Sequence, residues 1–156
     1  MPSSAADPSL WRKPAQTLQK EALIGILRTA DLIERRLDAV LAPHRLSATQ
    51  YNVLRILRGA GPEGLTCGEA AARMITRDPD ITRLLDRLEA RGLVSRERAK
   101  SDRRSIVTRL TGQGLRLLAD LDDPIADLDR RQLGAFGEAE LWRLVRILER
   151  IRESGA

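Results

Sequence analysis

Cysteine occurs once, at Cys67, histidine once, at His44, and aromatic side chains make up only 3% of the 156 residues. A single thiol excludes an internal disulfide framework and fits a reducing, cytoplasmic setting. One histidine and one cysteine supply no metal-ligand cluster, and the sequence holds no glycine-rich phosphate loop and no nucleophile elbow. The expectation is therefore no enzyme, no metal and no cofactor. No apolar run approaches the roughly 20 residues needed to cross a bilayer. Residues 1–9 carry no basic segment followed by an apolar stretch, so no signal peptide is expected either.

What is present is a globular composition, with 42% hydrophobic and 31% charged residues, enough for one domain with a sizeable core. The net charge is +5, from 27 Lys and Arg against 22 Asp and Glu. Its placement says more than its size. Between Arg77 and Arg109 there are ten basic and six acidic residues, so most of the excess falls on one stretch. A surplus concentrated in this way is the electrostatic footprint of a polyanion partner.

That stretch carries its own structural punctuation. Asp78 is a candidate N-cap, Pro79 suits the first helical position, and Gly92 suits the left-handed residue that closes a helix. Between them Ile81, Leu84, Leu85 and Leu88 form one apolar stripe, with Arg83, Asp86, Arg87 and Ala90 on the opposite side. Residues 93–98 and 105–110 alternate imperfectly, and the basic segment Lys100 to Arg104 lies between them. The order helix, glycine, strand, basic loop, strand describes a winged helix-turn-helix.

At these residues the chain resembles the MarR family of bacterial transcription regulators. Arg83 to Val94 meets the family's Arg-Leu-x-Asp-Arg-Leu-Glu-x-x-Gly-Leu-Val pattern. Asp102 to Arg104 meets its Asp-Arg-Arg, and Leu110 to Gly114 its Leu-Thr-x-x-Gly. With its flanking helices the resemblance covers about residues 18–153. It implies a mainly α fold with a small β-wing (α+β), a winged helix-turn-helix with long terminal dimerisation helices, and a repressor binding double-stranded DNA.

The remaining residues fill in that plan. Residues 1–17 read as a loose arm, with Trp11 as its one docking side chain. Residues 18–41 form a long helix whose apolar residues keep close to a 3.5-residue repeat, ended by Pro43. Ser47 with Gln50 and Thr66 with Glu69 make two capping boxes. Residues 59–64 read as a turn cluster, and the helix opened by Thr66 should support the one that reads. Thr111 caps a helix in which Pro124 predicts a kink, with a break as the competing reading. After a turn at Gly134 and Gly137, residues 141–151 carry the last apolar stripe.

Residues 18–46 and 112–156 thus form the dimerisation part and residues 47–111 the DNA-binding lobe. The first helix spans roughly 35 Å at 1.5 Å per residue. That is too long to hide its stripe on a small lobe. A second copy or an intrachain bundle would cover it, and the family resemblance implies the homodimer, with a pseudo-palindromic operator.

For DNA, Thr82 and Arg83 are the expected base-edge contacts, since arginine pairs bidentately with guanine. Arg77 and Arg87 are expected at phosphates. Many relatives have Ser and Thr where this chain has Pro79 and Asp80. Asp80 suits cytosine N4 or, alternatively, a capping role at the helix N-terminus. At the wing tip, Arg103 or Arg104 would enter the minor groove, Asp102 would orient a guanidinium, and Lys100 and Ser101 would touch phosphate.

Relatives often respond to a small aromatic acid or phenol. Trp11, His44 and Tyr51 are the aromatic candidates for such a pocket, with a loop-anchoring role as the alternative for His44. Cys67, in the first turn of a helix, raises thiol-based redox sensing as another reading, against that of a half-buried thiol. A protein-interaction module that has lost DNA binding is a further alternative, and the retained Arg83, Arg103 and Arg104 oppose it.

Overall fold

A computed structural model describes residues 17–75, 80–98 and 105–154, and the chain divides into two units, residues 1–35 and 36–156. Trp11, Arg77, Asp78, Pro79 and the wing-tip residues Lys100 to Arg104 lie outside the described residues. In the first unit, most of helix α1 (Leu18–Leu41) exposes Leu18, Leu23, Leu27, Leu32 and Ile33. Asp31 and Arg35 pair one turn apart on it.

In the second unit α1 ends at Leu41, and Pro43 sits in a 3-10 turn, Ala42–His44. Arg45 then takes a left-handed conformation (φ 53°), the position glycine usually fills. Its N–H donates to the Ala42 carbonyl and that of Leu46 to the Leu41 carbonyl, which closes the helix end. Helix α2 (Ala48–Ala60) starts from the expected Ser47–Gln50 box. It runs one residue past Gly59, so the turn begins at Gly61, with Pro62 in a second 3-10 turn, rather than at Gly59.

Thr66 and Glu69 cap α3 (Cys67–Arg73) as expected. The reading helix α4 spans Ile81–Ala90. Its N-cap is Asp80, not Asp78: the Asp80 carboxylate accepts from the Arg83 N–H at 3.3 Å. Of the two aspartates, the one nearer the apolar stripe captures the free N–H groups, which shortens the helix at its start. Gly92 (φ 70°) closes the other end, and the Leu93 N–H returns to the Leu88 carbonyl.

Strands β2 (Val94–Arg98) and β3 (Ile106–Leu110) pair antiparallel, Val94 opposite Leu110 and Arg98 opposite Ile106. A two-residue strand β1 (Leu65–Thr66) pairs with the other side of β3, giving the order β1-β3-β2. The sequence did not announce β1, because two residues are too few to show alternation. Thr111 caps α5 (Gly112–Leu133), which continues unbroken through Pro124. Pro124 and Asp120, the residue whose carbonyl loses its partner, are both exposed, so the missing bond costs little. Helix α6 (Glu138–Glu153) has no buried residue. No described helix is long and apolar enough to cross a membrane.

The core joins α1 through α5. Leu41, Val53, Leu54, Leu57, Leu85, Leu88, Leu118 and Leu121 are each at most 1% exposed. Gly114 brings the start of α5 against the sheet. A Cβ there would collide with the Leu93 carbonyl and come within 3.0 Å of Leu110 Cδ2. Gly114→Ala is expected to destabilise the protein by about 1–3 kcal/mol, read as a lower denaturant midpoint, since backbone cannot yield as a flexible side chain would.

A bidentate pair ties α2 to α5: Arg58 donates to the Asp122 carboxylate at 2.8 and 3.0 Å. Those bonds hold the Asp122 carboxyl below the ordinary carboxylate range. A depressed carboxyl contributes stability above its ordinary pKa and loses it as pH falls through the lowered value. Asp122→Asn should therefore make the acid-side loss of stability less steep, followed by urea titrations at stepped pH. Glu69, also lowered by its bonds to Thr66, keeps part of that decline in place.

Candidate nucleic-acid interface

The reading face follows from the periodicity of α4. Leu84, Leu85 and Leu88 are at most 2% exposed and Ile81 is half-buried. The same turn angle leaves Thr82, Arg83, Asp86 and Arg87 on the solvent side. Arg83 keeps 80% of its side chain exposed and pairs with Asp80 through Nε at 3.1 Å. An exposed pair of this kind is worth about 0–1 kcal/mol, while a bidentate guanine contact discriminates by about 1–3 kcal/mol. The Asp80 pair is therefore weak enough for Arg83 to exchange it for a stronger partner. Asp80 itself is engaged as the helix cap, the alternative role its sequence position suggested.

Thr82 and Cys67 meet: the hydroxyl and thiol lie 3.9 Å apart, joining the second residue of α4 to the first of α3. Cys67 is half-buried. The turn after α3 is held by Asn52, whose side-chain oxygen accepts from the Ile75 N–H at 3.0 Å. Neither contact has a local signature, since each joins residues 15 or more positions apart.

Two arginines to which the sequence reading gave no tertiary partner fix α4 in place. Arg96, on β2, donates from Nε and Nη2 to Glu89 at 2.8 and 2.7 Å, and from Nη2 to Asp86. The Arg96 N–H adds a bond to the other Glu89 oxygen at 3.2 Å. These carboxylates raise the guanidinium's already high pKa, so the tie is always charged. The wing strand and the reading helix are thus locked side by side. Arg91, at the end of α4, donates to the carbonyls of Arg45 and His44 at 2.7 and 2.9 Å.

On β3, Arg109 donates to the Pro62 carbonyl and faces Glu97 at 3.7 Å. Arg87 makes no ion pair with another described residue, which leaves it available to phosphate. The structure does not bring the aromatic candidates into a shared pocket among the described residues. Tyr51 is core, 6% exposed, with the Arg55 guanidinium 5.8 Å from its ring centre. Burial pushes its phenol up, against the pull of Arg55 and Arg58. His44 is half-buried and anchors Arg91 through its carbonyl. A hollow of about 400 Å³ lies elsewhere, lined by Arg36, Val40, Leu128 and Arg131 among others.

Comparison with known proteins gives consistent matches. Residues 46–106 match the model of the MarR family. The transcriptional regulator PecS of Dickeya dadantii is 31% identical over 147 residues, covering 92% of this chain and 89% of PecS. The crystal structure of a MarR transcription factor from Planctomyces limnophilus is 41% identical, with a TM-score of 0.66, covering 87% of this chain and 98% of that one. That of CouR from Rhodococcus jostii, bound to p-coumaroyl-CoA, is 27% identical with a TM-score of 0.76, covering 88% of this chain and 95% of CouR.

Proposed function

The chain belongs to the MarR family of transcription regulators, and from that premise we propose a cytoplasmic homodimeric repressor that binds a pseudo-palindromic operator and releases it on binding a small aromatic or phenolic acid. DNA binding and transcription regulation are the family's business. The finer reading rests on one observation above all: α4 turns Thr82, Arg83 and Arg87 to solvent while its leucines anchor it, and Arg96 holds the wing beside it.

In this reading residues 47–111 form the reading lobe, while residues 18–46 and 112–156 pair the two copies. The apolar exposure supports it. Trp142, Leu144, Val145, Ile147 and Ile151 on α6 and Phe136 before it are all exposed, as are Leu18, Leu23, Leu27 and Leu32 of α1. Apolar faces of this extent mark association surfaces. Arg83 and Thr82 read base edges, Arg87 and Arg77 hold phosphates, and Asp80 caps α4. Lys100, Ser101, Asp102, Arg103 and Arg104 serve the wing tip. CouR is bound to p-coumaroyl-CoA, so a structural relative holds a ligand that carries a phenolic ring.

Selection from random duplex DNA tests the reading. An inverted repeat with half-sites about one helical turn apart is expected. Sedimentation at micromolar concentration should give a dimer. Failure to enrich any sequence, or a monomer in sedimentation, would overturn it.

A further inference from the structure

Arg91 has no place in base reading: it lies at the far end of α4 from Thr82 and Arg83 and points back into the protein. Its guanidinium spans two consecutive carbonyls, those of His44 and Arg45. These belong to the turn that joins α1 to α2, and Arg45 there holds a left-handed conformation that costs a residue with a side chain. The turn is therefore a defined, unforgiving shape, and Arg91 grips it from the reading helix. Just before it, Leu41 at the end of α1 is fully buried in one core with Leu118 and Leu121 of α5. The turn thus stands where the reading lobe meets the helices assigned above to pairing.

We infer that Arg91 is a positioning residue for half-site spacing: by fixing α4 to the α1–α2 turn, it sets how far apart the two reading helices of a pair are presented. This rests on the paired-copy reading of the function. A single half-site meets one reading helix and is indifferent to that distance. Two half-sites on one duplex are not, because adding a base pair moves the second site along and around the helix axis.

The experiment compares duplexes carrying one half-site, two half-sites at the selected spacing, and two with one base pair added or removed. Wild-type protein is expected to prefer the selected spacing by about tenfold or more. Arg91→Ala should cut that preference at least about fivefold while changing single-half-site affinity by less than about twofold. Arg91→Lys, which can reach one carbonyl but lacks the planar fork, should recover part of it. Thermal unfolding of both variants accompanies the titrations, and Arg91→Gln stands in if the alanine protein does not fold.

An unchanged spacing preference in the folded variants would overturn the inference. So would single and paired sites weakening by the same factor, the mark of a general loss of structure. Wild-type protein that ignores spacing would instead overturn the paired-copy reading, and that result appears before any substitution is made.

Discussion

Arg83→Ala protein should lose discrimination at one base pair in each half-site, and Arg104→Ala protein should bind every sequence more weakly. The two effects differ because the two side chains meet different parts of the duplex. A bidentate arginine–guanine contact is worth about 1–3 kcal/mol, and two copies on one operator bring the expected loss to about 2–6 kcal/mol. The Asp80 pair does not blunt this, since an 80% exposed guanidinium gives up little by leaving its neighbour. Arg104 is, with Arg103, a candidate for entering the minor groove, where its charge displaces counterions and so contributes to the salt slope. Its removal should flatten the slope of log affinity against log salt by about one per copy. Titrations of the selected operator and its single-base variants at several salt concentrations separate the two. Unchanged affinity in both proteins would contradict the assignment.

Leu88→Ala is expected to destabilise the fold by about 2–5 kcal/mol, much of an ordinary domain's margin. Leu88 is fully buried, in the same core as Leu41, Leu54 and Leu118. Its carbonyl also receives the Leu93 N–H that closes α4, so the helix end loses its packing where the chain turns into the wing. The denaturant midpoint measures the cost. At a temperature where the variant remains folded, operator affinity should fall less than for Arg83→Ala, because the reading face itself is untouched. A variant as stable as wild type would show that the core collapses around the missing side chain.

The sequence was most readable where neighbours along the chain make the structure. The Ser47–Gln50 and Thr66–Glu69 boxes, the Thr111 cap and the Gly92 closure all join residues a few positions apart, and all are present. The stripe of α4 told which leucines are buried and which arginines are not. The start of α4 was misplaced because Asp78 and Asp80 carry the same capping chemistry, and only packing chooses between them. What stayed illegible acts at a distance: Arg58 finds Asp122 64 residues on, and Arg91 finds His44 47 residues back. An arginine that grips a carbonyl looks, in sequence, like one bound for solvent or DNA. The three arginines at 83, 91 and 96 illustrate this, since one faces outward and two are turned to internal acceptors.

Among the described residues the sheet order leaves β2 with a neighbour on one side only, and the strand reads Val-Ser-Arg-Glu-Arg. An open strand edge is a template on which another chain can stack, and charged side chains are the usual guard against it. Glu97 and Arg98, both exposed, supply such a guard at the end of β2. In the reading proposed above the wing lies beside the duplex, so the charges of β2 keep that edge free for nucleic acid rather than for another strand.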